Sequence, residues 1–232
     1  MRAIKINPWP LFKTWPISAL IIGILVFSAI FTIHPDIDRK VAGFFYNEEN
    51  NFILRNTPLH YFVDNWIRPI VKHTVILLLA LSLFSIISRG RYIGWKVRSI
   101  VFVGSAFIIG PIILVNGFLK EFIGRARPKN ITDFGGDKLF SPAYFPADQC
   151  AANCSFVSGD AAAAFTTLAF GLLYSGRTRL RIITVALGLG TVTSLYRIGT
   201  GAHFLSDTLF AGLFCILITL LLEKIMLDTK TF

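Results

Sequence analysis

Three short segments of the chain carry residue types that together could bind an oxyanion and attack it. In YRIGTGAHFLSD, Arg197 precedes His203, and Asp207 follows the histidine by four positions. That spacing predicts His203 and Asp207 on one helical face. A carboxylate bonded to one ring nitrogen fixes the imidazole tautomer and leaves the other nitrogen as nucleophile or base. Asp207 stands near the start of an apolar run, where an unpaired carboxylate is costly, so a histidine partner is physically reasonable. Taken singly, the histidine reads as structural.

The other two segments offer anion ligands. In KEFIGRARPKN, Lys120 and Arg127 are seven residues apart. If the helix continues, both cations share one face, the Arg as a forked donor and the Lys as a point charge, until Pro128 ends it. Alone, this segment reads first as cations snorkelling at a membrane edge. In FVSGDAAAAF, Ser158 can cap a helix, Gly159 permits close approach of an anion, and the first-turn amides point toward it. A plain Ser cap followed by Asp160 in a first turn is the ordinary alternative.

These residues must be positioned by membrane helices. The chain has 232 residues, 54% hydrophobic and 16% charged, with 22 phenylalanines. Six apolar segments, near 16–33, 69–88, 99–119, 156–174, 180–196 and 204–222, approach the length that crosses a hydrocarbon core. The fold class expected is all-α: a polytopic membrane protein with six transmembrane helices in a single domain, residues 1–232. The net charge of +10 lies in short clusters between apolar runs, a pattern of membrane topology rather than of nucleic-acid binding.

Arg2, Lys5 and Lys13, then Arg89, Arg91, Lys96 and Arg98, then Arg177, Arg179 and Arg181 mark the cytoplasmic side. Both termini are therefore expected in the cytoplasm, and the loops around 34–68 and 120–157 on the outer face. The first of these loops is a candidate for an interfacial helix touching lipid headgroups, or a plain connector. Trp9, Trp15, Trp66 and Trp95 each precede a span, as interfacial anchors do. No small-residue cleavage site follows the first apolar run, so it reads as a retained helix. Cys150 and Cys154 fit a disulfide in an oxidising compartment or two free thiols, and Cys215 a buried hydrophobe.

Taken in order, the three segments resemble the type 2 phosphatidic acid phosphatase superfamily, with its acid phosphatase and haloperoxidase-like helical core. The signature K-x6-R-P, P-S-G-H, S-R-x5-H-x3-D is met by Lys120, Arg127 and Pro128, by Ser158 and Gly159, and by Arg197, His203 and Asp207, across residues 120–207. The resemblance implies that His203 attacks phosphorus to form a phosphohistidine while Asp207 orients its ring. It implies that Lys120, Arg127, Arg197, Ser158 and Gly159 bind the phosphate oxygens, with no metal and no cofactor. His34, His60 and His73 match nothing in the signature and read as interfacial or structural.

Three positions depart from the pattern: Val157 for proline, Tyr196 for serine, and Asp160 for the histidine that protonates the leaving group. A carboxyl group of ordinary pKa, about 3.9, is ionised at neutral pH, and nearby cations hold it so. Asp160 thus reads as a base for water or an ion-pair partner. That favours a substrate whose leaving group departs with little acid help. The expected function is a lipid phosphatase of the bacterial inner membrane with a periplasmic site, acting by lipid A 1-dephosphorylation. Undecaprenyl diphosphate or phosphatidylglycerophosphate hydrolysis and lipid phosphotransfer are the nearest alternatives. A six-span transporter or a non-catalytic lipid-phosphate binder are those of another class. The partners expected are the lipid phosphate and the bilayer, and no oligomeric state is indicated.

Overall fold

The computed structural model describes residues 9–49, 51–88 and 97–227, with side chains from Pro16 onward. Arg2, Lys5, Arg89, Arg91, Trp95 and Lys96 fall outside the described residues, as do the side chains of Trp9, Lys13 and Trp15. The first apolar run is α1, Trp9–Ile33. After Pro35 the chain forms α2, Asp36–Gly43, then a two-residue hairpin of β1, Tyr46–Asn47, and β2, Asn51–Phe52.

Thr57 starts the next helix by accepting the His60 amide on its hydroxyl (3.2 Å). Pro58 follows at the first helical position, where a missing N–H costs nothing. From there α3, Pro58–Phe62, runs through a π-helical stretch, Val63–Ile67, into α4, Arg68–Ile87. The second passage is therefore a turn or more longer at its start than the apolar run alone indicates. The third combines α5, Val97–Phe107, a π-helical segment, Ile108–Leu119, and α6, Lys120–Ile123. Pro111 cannot donate to the preceding turn, and the Asn116 side-chain amide donates to the Pro111 carbonyl (2.7 Å), closing the widened helix.

The fourth apolar run differs from expectation. It forms two short helices, α7, Gly159–Thr166, and α8, Leu168–Leu172. Thr166 and Thr167 donate side-chain hydroxyls to the carbonyls of Ala162 (2.8 Å) and Ala164 (2.6 Å), a competition with the backbone ladder that bends helices. Among the described residues five helices, not six, are long and apolar enough to cross a membrane. α9, Gly176–Gly199, and α10, Leu205–Met226, are the last two.

α10 sits at the centre of the bundle, packed by α1, α5, α7 and α9. Phe31, Phe156, Phe210, Ala161 and Ala211 form one core around it; Phe102, Phe107, Leu168 and Leu172 form a second. The outer faces are apolar too, with Leu25, Ile87, Leu180 and Val192 exposed, as lipid contact demands. Successive helices alternate in direction. The start of α4, the first residue of α6, the start of α7, the end of α9 and the turn before α10 therefore meet at one end of the bundle, where they line a common cavity.

Candidate active site

The chain leaves α6 at Gly124, which adopts a left-handed conformation (φ 59°) under the Ala147 carbonyl, where a Cβ would lie 1.9 Å from the oxygen. Glycine alone fits there. This corrects the expectation of one helical face from Lys120 to Pro128: the helix ends at Ile123, five residues before the proline, and Arg127 reaches the site from extended backbone. The two cations still converge. Lys120 Nζ donates to the Asn153 side-chain oxygen (2.9 Å) and Arg127 to the Asn153 carbonyl (2.8 Å). Asn153 is placed by a Cys150–Cys154 disulfide, which decides between bridge and free thiols.

His203 also lies off the helix, in the turn between α9 and α10. It is fully buried, and its Nδ1 is 2.8 Å from the Ser155 carbonyl, with the Asp207 carboxylate behind at 3.7 Å. The nearer contact decides the tautomer: a carbonyl can only accept, so Nδ1 carries the proton and the Nε2 lone pair is free. Asp207 faces the same ring nitrogen at 3.7 Å and, as a carboxylate, favours the same tautomer. Its carboxylate accepts from the Ser155 hydroxyl and the Phe204 amide (2.8 Å), and so positions both the residue whose carbonyl holds His203 and the start of α10.

Burial, the largest influence, lowers His203 to a pKa of about 4, with the Arg197 and Lys120 charges acting in the same direction and Asp207 opposing them. At neutral pH the imidazole is uncharged, the state a nucleophile needs.

Behind Asp207 stands Arg125, a residue the sequence reading missed. Its guanidinium is wholly buried and donates to Asp207 (2.6 Å), Asp38 (2.8 Å), the Ser206 hydroxyl (2.9 Å) and the Ser141 carbonyl (2.8 Å). It also lies 4.3 Å over the Phe204 ring. Asp38 in turn accepts the Ser206 amide (2.9 Å). The first outer loop thus braces the nucleophile: besides Asp38, its Phe52 is buried beside Phe204, and the Leu54 amide donates to the Gly199 carbonyl (3.1 Å).

The cavity in front of His203 holds about 510 Å³. Lys120, Arg127, Gly159, Asp160, Arg197 and His203 line it together with Asn116, Asn153, Asp64, Arg68, Lys72 and His73. Ser158 and Asp207 are not among the lining residues. Ser158 is buried, its hydroxyl accepting the Ala161 amide as the helix cap (3.4 Å). Asp160 is ion-paired on one oxygen with the Nε of Arg197 (3.2 Å) and of Arg68 (3.4 Å). Arg197 is almost wholly buried, and its Nε completes no hydrogen bond, so the pairing with Asp160 is electrostatic and leaves a donor for another anion. Five cations face two carboxylates in this cavity, an excess that suits a phosphate.

Residues 99–230 match the PAP2 superfamily, the type 2 phosphatidic acid phosphatases. The chain belongs to this superfamily. It is 33% identical, over 92% of its length and 98% of theirs, to a lipid A 4′-phosphatase of Francisella tularensis subsp. novicida. To a lipid A 4′-phosphatase of Rhizobium etli it is 30% identical, over 79% of this chain and 71% of that one. No solved structure matches.

This PAP2 protein is a membrane lipid phosphatase, a hydrolase, and the transporter and non-catalytic readings give way to that. The residues missed in the sequence lie outside its signature. Arg68, Lys72 and His73 occur at the head of an apolar run, where intramembrane ionisable residues are functional by default. His73, read as interfacial or structural, lines the cavity instead. His60 is structural: its Nδ1 accepts the Asn56 amide (3.0 Å) and its Nε2 faces Asp64 (3.3 Å).

Proposed function

We propose that this enzyme removes a phosphate from lipid A, at the 4′-position, through a phosphohistidine on His203. The carrying observation is geometric: the Ser155 carbonyl fixes the His203 proton on Nδ1, leaving Nε2 bare in a cavity walled by Lys120, Arg127 and Arg197. Nε2 attacks phosphorus, the three cations bind the equatorial oxygens as charge develops, and Gly159 lets phosphate approach the start of α7. Ser158 caps that helix. Asp207, held by Arg125, fixes Ser155 and through it the ring.

The choice of position rests on the curated relatives, which are named 4′-phosphatases. The 1-position is the second reading, favoured by Asp160: paired with two arginines it is ionised and donates no proton, and an anomeric oxygen departs most readily without one. Asp160 acts in this reading as the partner that positions Arg197 and Arg68.

The catalytic end faces the periplasm. Arg98, Arg177, Arg179 and Arg181 lie at the opposite end, near the close of α10, where Arg179 pairs with Glu223 (2.7 Å), and cationic loops favour the cytoplasm. Incubation of the purified protein with bis-phosphorylated lipid A, followed by mass spectrometry of the product, tests the assignment. Retention of the 1-phosphate supports the 4′ reading, loss of it supports the other, and release from neither position overturns both.

A further inference from the structure

A 4′-alkoxide is a poor leaving group and needs a proton as the P–O bond breaks. Asp160 cannot supply it while its carboxylate lies between Arg197 and Arg68, nor can His203, whose Nε2 bonds to phosphorus. Besides that of His203, the imidazole lining the cavity is that of His73 on α4.

Its placement fits the task. A second, mainly apolar groove of about 500 Å³ runs along α4 past Trp66, Ile70 and Leu77, and the two cavities share Pro69 and His73. A lipid with its phosphate among the cations and its body in that groove has its bridging ester oxygen at the junction, where His73 stands. The Pro69 carbonyl lies 2.6 Å from Nδ1, so Nδ1 keeps its proton and Nε2 is the exchanging atom.

We infer that His73 is the general acid for the leaving group, a catalytic role that rests on the phosphohistidine reading above. As His203 Nε2 bonds to phosphorus, the P–O bond breaks and the oxygen takes the Nε2 proton of the His73 imidazolium, leaving His73 neutral. Water then attacks the phosphohistidine, its proton passes to His73 Nε2, and the P–N bond breaks to return the electron pair to His203. Atoms and charge are restored after each turnover, and one residue serves as acid and then base.

The test compares leaving groups with the full-length protein in detergent micelles. Phosphate release is measured from lipid A, an alkyl phosphate and p-nitrophenyl phosphate, whose phenolate leaves without acid help. His73→Gln should slow release from the first two by about 10²-fold, and the loss with p-nitrophenyl phosphate should be at least about tenfold smaller, because acid catalysis matters less as the leaving group improves. His73→Ala should recover alkyl phosphate hydrolysis when imidazole is added, which a packing role would not produce. Equal losses with all three esters, or no loss, overturns the assignment. A parent that spares lipid A but cleaves the other esters refutes the lipid A reading alone, with His73 still read from them. A parent that cleaves none overturns both.

Discussion

Arg125 and Asp207 form a 2.6 Å ion pair in which neither side chain touches solvent. The pair joins the loop after α6 to the first turn of α10, and Asp38 from α2 closes the network on the other side of the guanidinium. Three segments far apart in sequence thus share one buried cation, and the backbone carbonyl of the same Arg125 accepts the amide of Ser155, whose own carbonyl holds the nucleophile.

Removing that cation leaves two buried carboxylates facing each other. Arg125→Met should lower stability by about 3–5 kcal/mol, the usual cost of orphaning a buried charge. Asp38→Asn should cost less, since its one amide oxygen still accepts from Arg125 and only the Ser206 amide loses its acceptor. Thermal unfolding in detergent ranks the two variants. The reverse order would show that the network is not anchored on Arg125.

His203 should stay neutral far below the range of an ordinary histidine. Burial and the surrounding cations lower it to about 4, so the imidazole carries charge only below that value and remains a free nucleophile above it. Ring-nitrogen NMR shifts, assigned against His203→Gln, should report the Nδ1–H tautomer down to about pH 5, where an unperturbed histidine of pKa ~6.5 is already charged. Titration centred near that ordinary value would contradict the buried geometry. The same His203→Gln variant should lose about 10³-fold or more in phosphate release, as nucleophile removal does.

Much of this site was legible in the sequence because its chemistry is written in short-range spacing. Lys120, Arg127, Gly159, Asp160, Arg197 and His203 meet in one cavity. What was illegible is long-range. Arg125 and Asp38 are separated by 87 positions and their pairing has no local signature. Arg68, Lys72 and His73 precede an apolar run and look like any interfacial cluster until Arg68 is seen paired with Asp160 of α7 across the shared cavity. The fourth apolar run differs from a single helix for a local reason: hydropathy along 156–174 is continuous, while the threonine hydroxyls that interrupt the helix act through hydrogen bonds that hydropathy does not register.

Gly159 should tolerate no side chain. A Cβ there would lie 2.9 Å from Asn116 Oδ1, and Asn116 is committed to the Pro111 carbonyl that closes the π-helical segment. Gly159→Ala should therefore shift Asn116 and, four residues on, Lys120, with a stability loss of about 1–3 kcal/mol from overpacking and a larger fractional loss of kcat/KM. Pairing it with Asn116→Ala should recover part of the stability. Losses that add without recovery would place the clash elsewhere.

Asp160 and the substrate phosphate compete for the same arginine donors. In the resting site the carboxylate neutralises Arg197 and Arg68, so an incoming phosphate must share them, and a departing one is replaced. Asp160→Asn removes the competitor while keeping the shape. Inorganic phosphate should then inhibit about tenfold more strongly, the gain expected from one freed charge-assisted contact, and kcat should fall as product release slows. Stopped-flow traces should show a burst of ester cleavage absent from the parent. Unchanged inhibition by phosphate would mean that Asp160 does not share the donors that bind it.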